Sequence, residues 1–181
     1  DFEFRVIDSY GAFNTSIVSI EVESPYEDHS YIFSHDKNLY LTSFSVVPMM
    51  DDVVDLFAGV NDNISLFNII GEGSSALYSG DTWMGSLTEI SRKSGYWLQY
   101  VDDAQDFNLI GIKTKCSETS YDLHIGDNLI SYVGSNAMSL ENAIPSEFTD
   151  NIQVIIGEGI SAINIDGEWI GSSQHMMLDA G

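Results

Sequence analysis

Positive charge is scarce in this sequence. Its 181 residues contain six lysines and arginines against 28 aspartates and glutamates, which gives a formal net charge of −22. All six cations precede residue 116, so the last 66 residues carry ten carboxylates and no lysine or arginine. Nucleic acids and anionic membranes bind to positive patches, so this composition excludes both as partners. An acidic surface of this kind is typical of proteins from saline or extracellular settings.

Cysteine and long apolar runs are also scarce. The single cysteine, Cys116, excludes an intrachain disulfide framework, and no motif of a catalytic thiol surrounds it. No apolar run is long enough to span a bilayer, so we expect no direct membrane insertion. A content of 44% hydrophobic and 12% aromatic residues is that of a folded globular protein, not of a disordered acidic tail.

The most informative feature that is present is an internal duplication. The sequence Ile-Ile-Gly-Glu-Gly occupies residues 69–73 and recurs at residues 155–159. A tryptophan, a Gly-Ser pair and a further glycine follow both copies in unbroken register, which indicates two tandem repeats. The signature residues are Gly71, Glu72, Gly73, Trp83, Gly85, Gly95 and Trp97 in the first copy, and Gly157, Glu158, Gly159, Trp169, Gly171 and Gly181 in the second.

The duplication predicts a mainly β protein of α+β modules, each a small sheet with one short helix. We place the first module at residues 31–115 and the second at residues 116–181, where it is C-terminally incomplete. A β-hairpin at residues 1–23 and a linker at residues 24–30 precede them. Because the sequence opens inside a strand pattern, we expect it to be part of a longer secreted protein.

Local patterns give more detail. In the first module, Pro48 predicts the start of a helix, whose buried stripe would contain Val53, Val54, Phe57 and Ala58. Residues 96–101 and 107–112 predict a strand–turn–strand unit that closes the same sheet. In the second module, Asp166-Gly167 predicts a two-residue hairpin turn with both residues at positive φ.

Two stretches resemble known families. The pattern Phe-x-Phe-x-Val-x-Asp-Ser-x-Gly of residues 2–11, with the alternating residues 16–22, resembles the closing hairpin of Ig-like domains of the polycystic-kidney-disease and cadherin types. The unit from Asn-Leu through Gly-Glu-Gly and Trp-x-Gly-Ser to Gly-Tyr-Trp resembles a repeat module of bacterial secreted and cell-surface proteins. This resemblance implies an extracellular or cell-surface location and no enzymatic activity.

Several motifs allow a chemical interpretation beside a structural one. Residues 71–76 match a dinucleotide-binding pattern, but a predicted hairpin follows where the phosphate would need a helix. Trp83 and Trp169, with Trp97, Tyr96 and Tyr78, would suit a sugar-stacking platform, or the tryptophans would anchor the core of each module. Glu72 and Glu158 would act as paired hydrolytic carboxylates only if the two modules met about a pseudo-two-fold axis.

Metal binding depends on the acidic turns, because the four histidines show no metal-ligand spacing. Three turns carry oxygen ligands that would suit Ca²⁺, although none has the spacing of an EF-hand, and solvated acidic turns are the favoured explanation. The candidate calcium ligands are Asp51, Asp52 and Asp55, residues 61–63, and Asp102, Asp103 and Asp106.

The sequence therefore predicts a non-enzymatic structural or adhesion repeat that needs no cofactor. Its partners would be other copies of itself or other surface proteins. The alternative is a module that binds a carbohydrate or a protein partner through its tryptophans and tyrosines. Two explanations of the chain ends stay open. Residues 1–23 of one chain would complete the second module of a neighbour and so build a filament, or the chain is a segment of a longer polypeptide that holds the missing strands. The second explanation is favoured, because it needs no new interaction.

Overall fold

The computed structural model describes residues 2–7, 9–11, 13–18, 26–33, 37–47, 51–57, 66–101, 106–113, 119–134, 137–172 and 177–178. These residues form a mainly β protein, as predicted, and they include three short helices. The strands are β1 (Phe2–Ile7), β2 (Phe13–Val18), β3 (Tyr26–Tyr31), β4 (Leu39–Ser43), β5 (Val46–Val47), β6 (Leu66–Gly71), β7 (Ser74–Ser79), β8 (Thr82–Gly85), β9 (Gly95–Tyr100), β10 (Phe107–Lys113), β11 (Met138–Ser139), β12 (Val154–Gly157), β13 (Ile160–Ile165), β14 (Glu168–Gly171) and β15 (Met177–Leu178). The helices are α1 (Val53–Phe57), α2 (Leu140–Ala143) and α3 (Ser146–Thr149).

The first module contains two antiparallel sheets around one aromatic core. Five strands hydrogen-bond in the order β4-β9-β6-β7-β8, and three strands in the order β3-β10-β5. Helix α1 connects the two sheets, because the ring of Phe57 lies 5.7 Å from that of Trp83 on β8 and 6.0 Å from that of Phe107 on β10. Side chains of a strand point alternately to its two faces, and those of Tyr96, Leu98 and Tyr100 on β9 are all buried toward this core.

Two expectations about the strands of the first module need correction. Strand β3 (Tyr26–Tyr31) occupies most of the predicted linker, since it pairs with β10 along its whole length. The predicted strand–turn–strand unit is divided, because β9 lies in the five-stranded sheet and β10 in the three-stranded one. The two strands therefore lie in different sheets of the same core instead of closing one sheet together.

The helix of the first module also differs from its prediction. Helix α1 begins at Val53, and the side chain of Asp52 accepts a hydrogen bond from the backbone N–H of Val54 at 2.8 Å. Val53, Leu56 and Phe57 are buried, whereas Val54 is 48% exposed. Residues at i, i+3 and i+4 share one face of a helix, so Leu56 takes the core position predicted for Val54. Pro48 and Ala58 lie outside the described residues.

The second module has a smaller sheet and its own small core. Strands hydrogen-bond in the order β12-β13-β14, and two short helices, α2 and α3, replace the single helix predicted. The core contains Leu140 of α2, Ala162 of β13 and Trp169 of β14. Strands β11 and β15 form a separate two-stranded pair. No helix among the described residues is long and apolar enough to cross a membrane.

The N-terminal strands form the predicted hairpin. Strands β1 and β2 pair antiparallel, from Phe2 with Val18 to Ile7 with Phe13. Within the described ranges this hairpin is a two-stranded sheet that no third strand extends. Residues 19–23 of the predicted hairpin lie outside the described residues.

Candidate functional site

The two copies of the signature build the same three-stranded unit. In the first copy Ala76 pairs with Gly85 and Tyr78 with Trp83. In the second, Ala162 pairs with Gly171 and Asn164 with Trp169. These pairs are at equivalent positions, so both tryptophans occupy the same place in their hairpins. The division of the chain into two modules at residue 116 stays a prediction.

The second hairpin turn confirms the prediction made for it. Asp166 has a φ of 54° and Gly167 a φ of 88°, so both residues adopt the left-handed conformation of a two-residue turn. The equivalent turn of the first copy reverses the residue order, with Gly80 at a φ of 61° and Asp81 at 62°. The two turns therefore have the same backbone geometry, with the order Gly-Asp in the first copy and Asp-Gly in the second.

The Gly-Ser pair after each tryptophan has a structural explanation. Gly85 has a φ of 147°, and a Cβ at that position would lie 2.1 Å from the carbonyl oxygen of Ser75. For Gly171 the φ is 150° and the corresponding distance to the carbonyl oxygen of Ser161 is 2.4 Å. Only glycine permits such an approach, so both positions require it. The serine that follows each glycine binds the same neighbouring strand, because the backbone N–H of Ser161 donates to the Ser172 hydroxyl at 3.1 Å.

Both signature tryptophans belong to the core. Trp83 is 9% exposed and Trp169 is 6% exposed, so neither indole face is available for stacking on a sugar. The Trp83 ring also packs against Tyr78, with ring centroids 5.3 Å apart. Trp97 differs, because it is half-buried on the opposite face of β9, where it pairs with Leu41 and Ile70 on the neighbouring strands.

Glu72 of the first Gly-Glu-Gly turn binds a segment of the second module. Its Oε2 accepts a hydrogen bond from the backbone N–H of Leu129 at 2.6 Å, and its Oε1 lies 2.5 Å from Nε2 of His124. The backbone hydrogen bond from Leu129, followed by the one from His124, lowers the pKa of the Glu72 carboxyl. The hydrogen bond to Glu72 raises the pKa of His124, with a smaller contribution from the carbonyl of Ile125.

Glu158 of the second turn makes the reciprocal contact with the first module. Its Oε2 accepts a hydrogen bond from the backbone N–H of Leu41 at 3.0 Å, and its other oxygen forms an ion pair with Lys37. Each glutamate therefore binds one backbone amide and one basic side chain from the other module. Charge-assisted hydrogen bonds to backbone N–H groups are among the stronger polar contacts in proteins, so the two turns act as a reciprocal clasp.

A short strand-like contact lies beside this clasp. The backbone N–H of Gly95 donates to the carbonyl of Leu129 at 3.0 Å, and the N–H of Ser131 donates to the carbonyl of Lys93 at 3.0 Å. A Cβ at Gly95 would lie 3.2 Å from the Leu129 side chain and 3.1 Å from the carbonyl oxygen of Ile130. Gly95 therefore lets the second module's Asn-Leu segment approach the first module closely. The spacing of residues in the sequence predicts neither this contact nor the binding of His124 to Glu72.

Two of the predicted metal ligands bind backbone N–H groups. Asp52 caps helix α1, and the Asp106 carboxylate accepts a hydrogen bond from the backbone N–H of Phe33 at 2.8 Å. Within the described part of the chain, no group of three histidine, cysteine or acidic side chains is placed to hold a metal ion. The candidates Asp51 and Asp55 therefore belong to no such group, and Asp102, Asp103 and residues 61–63 lie outside the described residues.

Neither Gly-Glu-Gly turn has the surroundings of a nucleotide site. Strand β7 follows the first turn at Ser74 and strand β13 follows the second at Ile160, so no helix N-terminus is present to receive a phosphate. The carboxylates of Glu72 and Glu158 bind backbone amides of different segments. The arrangement can join two segments of the chain.

The ion pair between Glu72 and His124 predicts a pH dependence for the clasp. A lowered pKa means that the Glu72 contribution is present above pH 4.5 and is lost as the pH falls through the lowered value. A raised pKa means that the His124 contribution is complete below pH 6.5 and is lost as the pH rises through the raised value. We therefore expect the ion pair to stabilise the chain most between pH 4.5 and 6.5.

An NMR titration of the His124 ring measures this contact directly. The expected pKa of His124 lies above 6.5 and falls when Glu72 is replaced by glutamine. Replacing Glu158 by glutamine is the matched control, because that carboxylate binds Lys37 and Leu41 and should leave His124 unchanged. An equal decrease of the His124 pKa in both variants would contradict the contact described.

Comparison with known proteins identifies no relative: no protein-family model, no curated protein and no solved structure matches the chain.

Proposed function

We propose that the chain is a non-enzymatic structural or adhesion repeat of an extracellular or cell-surface protein, which assembles with other copies of itself. This proposal rests on the structural roles of the repeated signature residues. Gly85 and Gly171 permit close strand contacts, Trp83 and Trp169 fill cores, and Glu72 and Glu158 join the modules. These residues recur because they build the same unit twice.

The charge distribution supports the extracellular setting and affects how copies would meet. A net charge of −22 makes two chains repel each other at low ionic strength. Salt screens this repulsion, since the Debye length falls to about 3 Å at 1 M ionic strength. Contacts built on apolar surface and backbone hydrogen bonds are not weakened in the same way, so assembly is expected to strengthen as salt is added.

Sedimentation velocity tests the proposal. We expect the weight-average sedimentation coefficient to rise with protein concentration, and to rise more at about 1 M than at about 0.05 M NaCl because of the screening. Added oligosaccharides should leave the tryptophan fluorescence unchanged, because both signature indoles are buried. A single monomeric species at every concentration and salt level would refute the assembly proposal.

The carbohydrate-binding alternative has lost its main support. It required exposed indoles at Trp83 and Trp169, and both are buried. Of the other aromatic residues predicted for the platform, Tyr96 is buried, and Trp97 and Tyr78 are half-buried. A fluorescence change that saturates with one oligosaccharide would favour this alternative over the structural proposal.

A further inference from the structure

A row of aliphatic side chains crosses the outward face of the second module's sheet, the face turned away from the core. Val154 on β12, Ile163 on β13 and Ile170 on β14 are paired directly across the strands. Side chains at directly opposed positions lie about 5 Å apart, so the three form one continuous apolar row. They are 43%, 53% and 45% exposed, because the alternate residues Ala162 and Trp169 take the core face.

The same face is exposed in the first module. Leu77 on β7 and Met84 on β8 are a direct cross-strand pair at the positions equivalent to Ile163 and Ile170, and they are 42% and 51% exposed. Leu77 and Met84 belong to a sheet of five strands, and Ile163 lies on the central strand of its own sheet. The exposure is therefore a property of this face of the hairpin and does not depend on how many strands the sheet contains.

Charge is nearly absent from this face. The outward residues of β7 and β8 are serine, threonine, leucine and methionine. Those of β13 and β14 are Ser161, Ile163, Ile165, Glu168 and Ile170, of which Glu168 alone is charged. In a chain with a net charge of −22, most carboxylates must therefore lie on other surfaces. Two such chains approach each other with least repulsion when their uncharged faces meet.

The chemistry of the apolar row limits the partners that it can bind. Val154, Ile163 and Ile170 present neither an aromatic ring on which a sugar could stack nor a hydrogen-bonding side chain. A cationic partner would bind to the carboxylates on other surfaces. The row fits a partner whose contact surface is also apolar and uncharged, because both sides then lose water without leaving a polar group unpaired.

The chain itself provides such a surface in its second module. The first module's face is a poorer complement, because Asn68 occupies the position equivalent to Val154. The Asn68 side-chain N–H donates to the side-chain oxygen of Gln99 at 3.2 Å, and the remaining polar groups of these amides would lose water against an apolar surface. The best complement that the chain offers to the apolar row is therefore the same row of another copy.

We infer that the outward face of β12, β13 and β14 packs against the same face of a second copy of the chain, with Ile163 at the centre of the contact. This inference rests on the proposed self-assembly and names its contact. Because the two faces are identical, the contact is isologous, and a residue near the two-fold axis meets its own counterpart. Apolar sheet faces pack in this way in β-sandwiches, about 10 Å apart.

The size of the face makes the contact weak and reversible. Strands lie about 4.8 Å apart and rise about 3.3 Å per residue, so three strands of four to six residues cover on the order of 300 Å². Stable interfaces bury about 800 Å² on each partner. We therefore expect a dimer that forms at high protein concentration and dissociates on dilution.

Sedimentation equilibrium of the Ile163→Lys variant tests the contact. The lysine lowers the net negative charge, which by itself favours association, but it places an ammonium group in the apolar contact. We expect the dissociation constant of the dimer to increase about tenfold or more, because the isologous contact contains the lysine twice. The matched control is Ile110→Lys on β10, which makes the same charge change at a 63% exposed isoleucine of a different sheet. This control should retain association.

A mixture of charge variants tests whether like faces meet. Ile163→Glu should weaken association as Ile163→Lys does. An equal mixture of the two variants should associate more strongly than either variant alone, because opposite charges then face each other across the axis. Recovery in the mixture also shows that both variants are folded, and unchanged circular dichroism of each variant checks this independently.

The outcomes separate this inference from the proposal on which it rests. Native-like association of Ile163→Lys would overturn the contact and leave the proposed assembly standing. The same conclusion would follow from an equal loss of association in Ile110→Lys, or from a mixture that associates no better than its components. A native chain that stays monomeric at every concentration and salt level would refute both the contact and the proposed assembly.

Discussion

Replacing Gly85 by alanine is expected to lower the free energy of unfolding by about 3 kcal/mol or more, because it adds both backbone strain and an atomic overlap. The φ of 147° is one that L-residues rarely adopt, and the new Cβ would lie 2.1 Å from the carbonyl oxygen of Ser75. That oxygen also accepts a hydrogen bond from the backbone N–H of Leu87 at 3.0 Å, so it cannot move away without losing this bond. Urea denaturation followed by circular dichroism measures the change.

Gly80→Ala is the matched control in the same hairpin. Gly80 also has a positive φ, 61°, but a Cβ there would meet nothing within 4 Å. Its replacement carries only the left-handed backbone cost of about 1–2 kcal/mol. The difference between the two variants isolates the contact with Ser75. Equal losses of stability would mean that Gly85 does not serve the close strand approach described above.

Replacing Trp83 by alanine is expected to cost about 3–5 kcal/mol, as for other large-to-small changes of buried aromatic residues. The indole is 9% exposed and contacts Phe57 of α1 and Tyr78 of β7. Its removal would therefore leave a cavity between the five-stranded sheet and the helix. Thermal or urea unfolding of the variant checks the size of the loss.

Trp83→Phe should be much milder, at about 1–2 kcal/mol, because it keeps most of the buried ring surface. The Nε1 atom of Trp83 is buried and has no hydrogen-bond partner among the described residues, so phenylalanine removes no polar contact there. If Trp83→Ala left stability unchanged and altered binding to a glycan instead, the structural role of this tryptophan would be wrong.

The parts of the fold that were predictable are those that depend on local chemistry. The Asp166-Gly167 turn followed from the two residues alone, because few dipeptides tolerate positive φ at both positions. The equivalent strand pairing of the two hairpins followed from the unbroken offset between the copies, because a constant offset requires both hairpins to have the same length.

The parts that were not predictable depend on contacts between distant segments. The division of β9 and β10 between two sheets is decided by β3, which pairs with β10 where the sequence predicted a linker. The reciprocal contacts of Glu72 and Glu158 join residues 57 and 117 positions apart in the chain. No spacing rule predicts such pairs, because the backbone amide that a carboxylate binds has no signature in the sequence. A Gly-Glu-Gly turn has the same local sequence whether its glutamate is solvated or binds a distant segment of the chain.

Sedimentation equilibrium tests the central claim, that the chain assembles with other copies of itself, most directly. The account predicts an average mass above the 20.0 kDa of one chain, which rises with protein concentration. The rise should be steeper at about 1 M than at about 0.05 M NaCl, because salt screens the repulsion between chains with a net charge of −22. The mass of a single chain at every concentration and at both salt levels would contradict the claim.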